Sequence, residues 1–252
     1  MGGRGSSFLN FNGAFNINVE DTFDKDTETK NQTNIVKKLK TRGVKVMTSS
    51  DIIPNEILTP NLKALDKVVS KFRSISDFIQ VENLHVRTEK FSNPRVKACF
   101  RCKINEFERP QIIFNKSIQK NTRKDIEQTA KENIKEGFWS KSDDSQLVNK
   151  VMLHEIGHFV QRVLKEQISI KRNETELRNS NPRAYDKKIA EEMHQKVLKI
   201  NKNKYNDNST HISKYGESDR FEFFAETFAE LMTTNNPSNL AKSLDDYLKG
   251  EK

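Results

Sequence analysis

The stretch His154-Glu155-Ile156-Gly157-His158 is an H-E-x-x-H pattern, and it limits the fold and chemistry of the chain more than any other segment. On an α-helix, residues four apart lie one turn above each other, so His154 and His158 project from one face. Two imidazoles placed in this way can occupy two corners of a zinc tetrahedron. Glu155 lies beside that face, where its carboxylate can take a proton from water that the metal has made more acidic.

The residues around this pattern predict one long helix from Ser142 to Gln167. Ser142 supplies a hydroxyl N-cap, and Asp143 and Asp144 place negative charge at the positive end of the helix dipole. Gly157 indicates close packing, because glycine weakens a helix by about 1 kcal/mol relative to alanine. The alternative is a surface helix with two solvated histidines. At helical spacing an apolar face forms away from the histidines, with Val148, Met152, Leu153, Ile156, Phe159, Val160, Val163 and Leu164.

A catalytic zinc normally takes three protein ligands and keeps the fourth position for water, so a third ligand must come from elsewhere. The segment from Asp219 to Met232 predicts an amphipathic helix with Glu222 and Glu226 one turn apart along its apolar border. Two carboxylates in this position repel each other unless a cation or hydrogen-bond donors lie between them. Glu222 is then the third zinc ligand, and Glu226 accepts the free ring N–H of a ligating histidine. The alternative is an ordinary amphipathic helix with solvated glutamates.

These segments also carry a family resemblance. The pair Tyr215-Gly216, followed by Glu222-Phe223-Phe224-Ala225-Glu226-Thr227-Phe228 downstream of an H-E-x-x-H helix, is similar to the catalytic domain of anthrax lethal factor. It also resembles the bacterial Pro-Pro endopeptidases, and both groups are gluzincins. The resemblance covers roughly residues 95 to 250, but it is strong only at the two motifs, and nothing aligns between Val160 and Lys214. Substrate preference is therefore not transferred.

The resemblance implies an α+β, zincin-like fold: a small mixed sheet, then the active-site helix, then a mostly helical C-terminal half. It implies a zinc-dependent endopeptidase that hydrolyses peptide bonds through a zinc-activated water. Glu155 would be the general base, and Tyr215 would donate to the oxyanion or help the amine to leave. Tyr215 could instead be an ordinary core tyrosine, and its spacing to Glu222 is the argument against that. The zinc ligands would be His154, His158 and Glu222, with Glu226 supporting a histidine.

Composition limits the other classes of function. Of the 252 residues, 34% are hydrophobic and 31% are charged, which predicts one helix-rich domain with heavily solvated faces. No stretch reaches the apolar length of a membrane span, and the N-terminus lacks the pattern of a signal peptide, so a cytoplasmic protein is expected. The net charge of +9 comes from dispersed lysines without a readout motif, so we expect protein or peptide substrates and no specific nucleic acid.

The two cysteines form a single C-x-x-C, Cys99 and Cys102, in a segment that is typical of a strand. A structural zinc site needs a second pair of ligands, and a redox motif of this kind would begin a helix. We therefore expect free thiols.

The N-terminal segment, residues 1–55, predicts a flexible tail rich in glycine and asparagine, followed by a catalytic domain at residues 56–252. The opening Met1-Gly2-Gly3-Arg4-Gly5-Ser6-Ser7 is similar to the starts of many phage head-morphogenesis proteins. This resemblance implies docking of the tail on a phage structural protein and, if the chain is phage-encoded, a virion-associated location. It also gives the alternative function, a non-catalytic virion-associated or injected binding protein that keeps a structural zinc site.

Secondary structure is predicted around these motifs. Thr59 can cap a helix from Pro60 to about Phe78. The strand near Ile112 is expected to be the edge along which a substrate lies in extended form. Strands are predicted at about 83–88, 95–104 and 110–115, and helices up to about Lys135, at 182–200, from Asp219, and at 239–248.

Overall fold

A small sheet precedes the helix that carries the histidines, and the chain after that helix is mostly helical. The computed structural model describes residues 25–48, 52–71, 84–93, 96–101 and 110–250. The strands are β1 Lys45–Val46, β2 His85–Glu89, β3 Ala98–Arg101 and β4 Gln111–Asn115. The helices are α1 Lys25–Thr41, α2 Asn55–Lys71, α3 Arg123–Lys135, α4 Lys150–Arg172, α5 Thr175–Ser180, α6 Pro182–Tyr205, α7 Arg220–Thr233 and α8 Asn239–Lys249. The predicted α+β class, with a small mixed sheet, is confirmed.

The sheet has the strand order β1-β2-β4-β3, in which β1, β2 and β4 are parallel and β3 is antiparallel to β4. The prediction that the strand near Ile112 is an edge is therefore wrong, because β4 lies between β2 and β3. Ile112, Ile113 and Phe114 are all buried, and such a continuous apolar run is typical of a strand covered on both faces. Within the described part of the sheet, β3 is the edge next to α4.

The predicted single helix from Ser142 is wrong at its start. A 3-10 helix, Asp144–Asn149, comes first, and α4 runs from Lys150 to Arg172. The Ser142 hydroxyl makes no cap and instead donates to the Thr233 carbonyl at the end of α7, over 3.4 Å. Asp143 accepts two hydrogen bonds from the residues after α7, each of 2.8 Å. Ser142 and Asp143 therefore form tertiary hydrogen bonds with the end of α7 instead of capping a helix that begins beside them.

The predicted flexible tail is also wrong for the part that the structure describes. Helix α1 places Leu39 in the core, Val44 is buried just after it, and β1 pairs with β2. Leu39 and Ile35 are four residues apart, so they lie on one face of α1, which packs on α2. The domain therefore includes residues 25–48. Residues 1–24, with the segment predicted to dock on a phage protein, lie outside the described residues.

Helix α2 begins earlier than predicted. The N–H of Leu58 already donates to the Pro54 carbonyl, so the first turn forms before Thr59, and Pro60 lies inside the helix. The predicted Thr59 cap is wrong, and the predicted end at Phe78 lies outside the described residues. None of the described helices is long and apolar enough to cross a membrane. Cys99 is a free thiol in β3, as predicted, and Cys102 lies outside the described residues.

Helix α4 packs more extensively on α7 than on any other described element, and it also contacts β3. Every residue of its predicted apolar face is buried, so this prediction is confirmed. The ring of Phe100 in β3 lies 5.9 Å from the ring of Phe159 in α4, centroid to centroid. A Cβ added to Gly157 would lie 2.8 Å from the Ala225 Cα and 3.1 Å from its carbonyl oxygen. The predicted close approach at Gly157 is therefore confirmed, and it brings the histidine helix against the glutamate helix.

Gly157→Ala is expected to lower the free energy of unfolding by about 1–3 kcal/mol, the usual range for overpacking. The added methyl would meet the backbone of Ala225, which cannot rotate away as a side chain can, so α4 and α7 must move apart. Urea unfolding followed by circular dichroism measures the effect. An exposed helical glycine changed to alanine would gain about 1 kcal/mol, so a more stable variant would contradict this packing.

Candidate metal centre and catalytic site

Three side chains from two helices converge at one point. Glu222 Oε2 lies 3.0 Å from His154 Nε2 and 3.4 Å from His158 Nε2, and the two imidazole nitrogens are 3.2 Å apart. The histidines come from successive turns of α4, and Glu222 comes from the first turn of α7. Asp219 caps α7 by accepting hydrogen bonds from the backbone N–H groups of Phe221 and Glu222, which fixes where this first turn lies.

The spacing of these atoms fits a tetrahedral metal. With zinc–ligand bonds of about 2.0–2.2 Å, two ligand atoms of a tetrahedron lie about 3.3–3.6 Å apart, and the three observed distances of 3.0, 3.2 and 3.4 Å are close to that. The buried Glu222 Oε2 faces both imidazole nitrogens without a well-aligned hydrogen bond to either, as expected of an atom directed at a shared cation. Two imidazoles and one carboxylate are a suitable donor set for zinc.

Glu226 fixes His154 from the other side of the ring. Its Oε1 lies 2.8 Å from His154 Nδ1, and its side chain is almost completely buried. Its Oε2 accepts hydrogen bonds from the Ser140 N–H at 2.6 Å and from the Ser213 hydroxyl at 3.3 Å. When a carboxylate accepts a hydrogen bond from Nδ1–H of a neutral histidine, the lone pair lies on Nε2. In His154 this Nε2 faces the cluster. Glu226 thus contacts the ring nitrogen of His154 that does not face Glu222.

The pKa values reflect this concentration of acids around His154. Burial alone would lower the pKa of His154, but contacts with Glu222 and Glu226 raise it to about 10. Burial alone would raise the pKa of Glu222, but its two imidazole neighbours lower it well below the usual value. Glu226 likewise has its pKa lowered to about 2, since the Lys150 charge and the His154 hydrogen bond outweigh burial. Both carboxylates are therefore ionised at neutral pH, and His154 is protonated, so a metal that binds here would displace the proton on Nε2.

Glu155 lies beside the metal cluster and touches the sheet edge. It is buried, and its Oε2 accepts a hydrogen bond from the backbone N–H of Phe100 in β3, at 2.5 Å. This contact links the carboxylate to a strand about 55 residues earlier in the chain and restricts its position. The general-base candidate is thus held by a backbone donor that no sequence pattern could identify.

Tyr215 lies between two other rings. Its ring stacks on His154, with centroids 5.4 Å apart and planes at 19°, and on Phe138, with centroids 5.4 Å apart and planes at 18°. The Tyr215 N–H donates to the Phe138 carbonyl at 3.0 Å, which holds the loop before α7 against the loop after α3. Burial first, and then the charges of Glu222 and Glu155, raise the pKa of the phenol above its ordinary value. Tyr215 therefore keeps its proton at neutral pH.

Gly216 is also required by packing. A Cβ there would lie 2.5 Å from an Ile212 methyl and 3.2 Å from the Ser213 hydroxyl, the hydroxyl that contacts Glu226. The Gly216 N–H itself donates to Ser213 Oγ at 3.0 Å. The Tyr215-Gly216 pair thus fits a loop that is tied to the metal cluster through Ser213 and Glu226.

The structure brings together all six predicted site residues and adds others that the sequence did not reveal. The additions are the Phe100 backbone, Phe138, Ser140, Lys150 and Ser213. Lys150 had a detectable signal, since it lies one helical turn before His154 on the same face of α4. The others come from loops or from backbone groups and had none.

Comparison with known proteins gives no further assignment. No protein-family model, curated protein or solved structure matches the chain.

Proposed function

We propose that the protein is a zinc-dependent endopeptidase of the gluzincin type, with a zincin-like catalytic domain. The observation that carries the proposal is the triangle of His154, His158 and Glu222 ligand atoms, 3.0–3.4 Å apart, with Glu155 and Tyr215 beside it. A metal alone would explain the triangle. Hydrolysis of a peptide explains in addition why a carboxylate and a protonated phenol stand next to it.

Glu155 acts on the attacking water. A zinc ion held by the three ligands would make a water molecule more acidic and would polarise a peptide carbonyl. Glu155 removes one proton from the water as the new C–O bond forms at the carbonyl carbon. It then passes this proton to the amide nitrogen as the C–N bond breaks, which gives a carboxylic acid and an amine. The remaining proton of the acid passes to the amine, so that the final products are a carboxylate and an ammonium. The hydrogen bond from Phe100 keeps the carboxylate in place during both transfers.

Tyr215 acts on the carbonyl oxygen. Because its pKa is raised by burial and by the nearby carboxylates, the phenol remains a hydrogen-bond donor at neutral pH. Negative charge grows on the carbonyl oxygen during attack, and a donor already in place stabilises it without reorganisation. The stack of Phe138, Tyr215 and His154 holds the phenol beside the ligand cluster.

The edge of β3 is the surface along which the substrate would lie. The Lys97 carbonyl accepts from the Asn115 N–H, so the backbone groups of Cys99 and Arg101 face β4. Those of Ala98 and Phe100 alternate with them and face away from the sheet. A peptide that pairs with this edge by β-augmentation passes Glu155, which is bound to Phe100. This arrangement replaces the predicted edge at Ile112.

The alternative is a non-catalytic virion-associated or injected binding protein with a structural zinc. Structural zinc sites are closed by a fourth protein ligand. Among the residues that the structure describes, the cluster gathers three ligands, His154, His158 and Glu222. A set of three leaves one coordination position for water or substrate, which favours the catalytic proposal.

Zinc content and peptide cleavage test the proposal together. The purified protein should contain about one zinc per chain by elemental analysis, and it should cleave members of a diverse peptide library, with the bonds identified by mass spectrometry. A chelator should abolish cleavage, and stoichiometric zinc should restore it. Absence of stoichiometric zinc would refute the metal site. Zinc without any cleavage would support the structural alternative.

A further inference from the structure

A buried lysine lies next to the metal cluster without touching a metal ligand. Lys150, the first residue of α4, is 1% exposed, and its Nζ donates to the Ser140 hydroxyl at 2.5 Å. A buried ammonium costs several kcal/mol unless carboxylates and hydrogen bonds compensate it. Burial lowers the pKa of Lys150, and the charges of Glu226 and Glu230 oppose that change. The lysine is therefore placed where its charge acts on Glu226.

Ser140 connects Lys150 to Glu226. Its hydroxyl accepts from Lys150 and donates to the Glu226 backbone carbonyl at 2.9 Å, while its N–H donates to Glu226 Oε2 at 2.6 Å. Glu226 Oε1 in turn contacts His154 Nδ1 at 2.8 Å. One continuous chain of contacts thus runs from the ammonium through a serine and a glutamate to a zinc ligand.

We infer that Lys150 is a positioning residue for the metal centre, acting through Ser140 and Glu226 on the orientation of His154. The Lys150 ammonium holds the Ser140 hydroxyl, and the Ser140 N–H holds the Glu226 carboxylate against the His154 ring. Glu226 accepts a hydrogen bond from Nδ1–H, and this contact turns Nε2 toward the metal cluster. This inference rests on the proposed zinc site, but it assigns a role to residues that take no part in ligation or proton transfer.

The test is zinc affinity, measured by competition with a chromophoric chelator, in a double-mutant cycle. Lys150→Met keeps the volume and removes the charge, and it should weaken zinc binding by about 10- to 100-fold, as the loss of supporting partners does elsewhere. In a Glu226→Gln background the same change should weaken binding by less than about threefold, because its route to His154 is already lost. Equal losses in the two backgrounds would overturn the inference.

Lys165→Met is the matched control. Lys165 is also a buried lysine of α4; its Nζ lies 3.2 Å from Asp186 and 4.6 Å from the centre of the Phe221 ring, outside the chain of contacts from Lys150 to His154. Its loss should lower stability but leave the zinc affinity of the folded protein unchanged. A similar loss of affinity in both lysine variants would show a general packing effect and overturn the inference.

Ser140→Ala covers the case in which Lys150→Met does not fold. It removes the hydroxyl that joins Lys150 to Glu226 and keeps the backbone N–H, so zinc affinity should fall in the same direction. Unchanged affinity in this variant would overturn the inference. A wild-type protein that binds no zinc would instead refute the proposed function, so the two failures are distinguishable.

Discussion

Glu155→Gln is expected to lower the rate of peptide cleavage by about 10²- to 10⁴-fold while zinc content stays the same. The amide cannot take a proton from water, so the step that Glu155 serves is lost. Its oxygen can still accept the hydrogen bond from the Phe100 N–H, so the contact between α4 and β3 should remain. Glu155 is not part of the ligand triangle, and the metal therefore has no reason to leave. Single-turnover cleavage of a library-derived peptide measures the rate, and elemental analysis measures zinc.

The control for this variant is Glu132→Gln, which removes the same charge from an exposed position on α3. It should keep both zinc and activity. If Glu155→Gln cleaved at the rate of the wild type, Glu155 would not be the base. If it lost zinc, the carboxylate would have a role in holding the metal that the geometry does not indicate.

Local patterns predicted the parts of the site that local structure determines. The spacing of His154 and His158 requires only a helix, and the apolar face of α4 follows from its periodicity. Glu222 and Glu226 were identifiable because two carboxylates beside an apolar face need compensation. All four residues meet in the structure, together with Tyr215.

The parts that could not be predicted depend on contacts between distant segments. Ser142 and Asp143 looked like a helix cap, but the end of α7 takes their hydrogen bonds. The prediction that β4 is an edge strand was wrong for a similar reason, since its sequence does not show that β3 pairs with its outer side. Phe100 contributes a backbone group, and backbone groups carry no sequence signal. The wrong predictions thus concern polar groups that bond to distant segments instead of to their neighbours, and the order in which strands pair.

Glu222→Ala is expected to weaken zinc binding by more than about 100-fold and to abolish cleavage at limiting zinc. Loss of an outer partner such as Glu226 typically costs about 10- to 100-fold, and loss of a ligand should cost more. The variants should therefore rank in zinc affinity as wild type, then Glu226→Gln, then Glu222→Ala. Chelator competition measures this order. At a fixed excess of zinc, a 100-fold weaker site also loses about 2.7 kcal/mol of metal-dependent stabilisation, which appears as a smaller thermal shift.

Glu217→Ala is the matched control for this variant, because it removes a glutamate that also contacts a histidine. Glu217 Oε1 lies 3.2 Å from His211 Nδ1, but the pair is exposed and lies outside the metal cluster. Its loss should leave zinc affinity unchanged, since an exposed pair contributes little and has no third ligand. If Glu222→Ala behaved like this control, the convergence of Glu222 Oε2 on two imidazole nitrogens would be an ordinary ion pair. The third ligand would then have to come from residues that the structure does not describe.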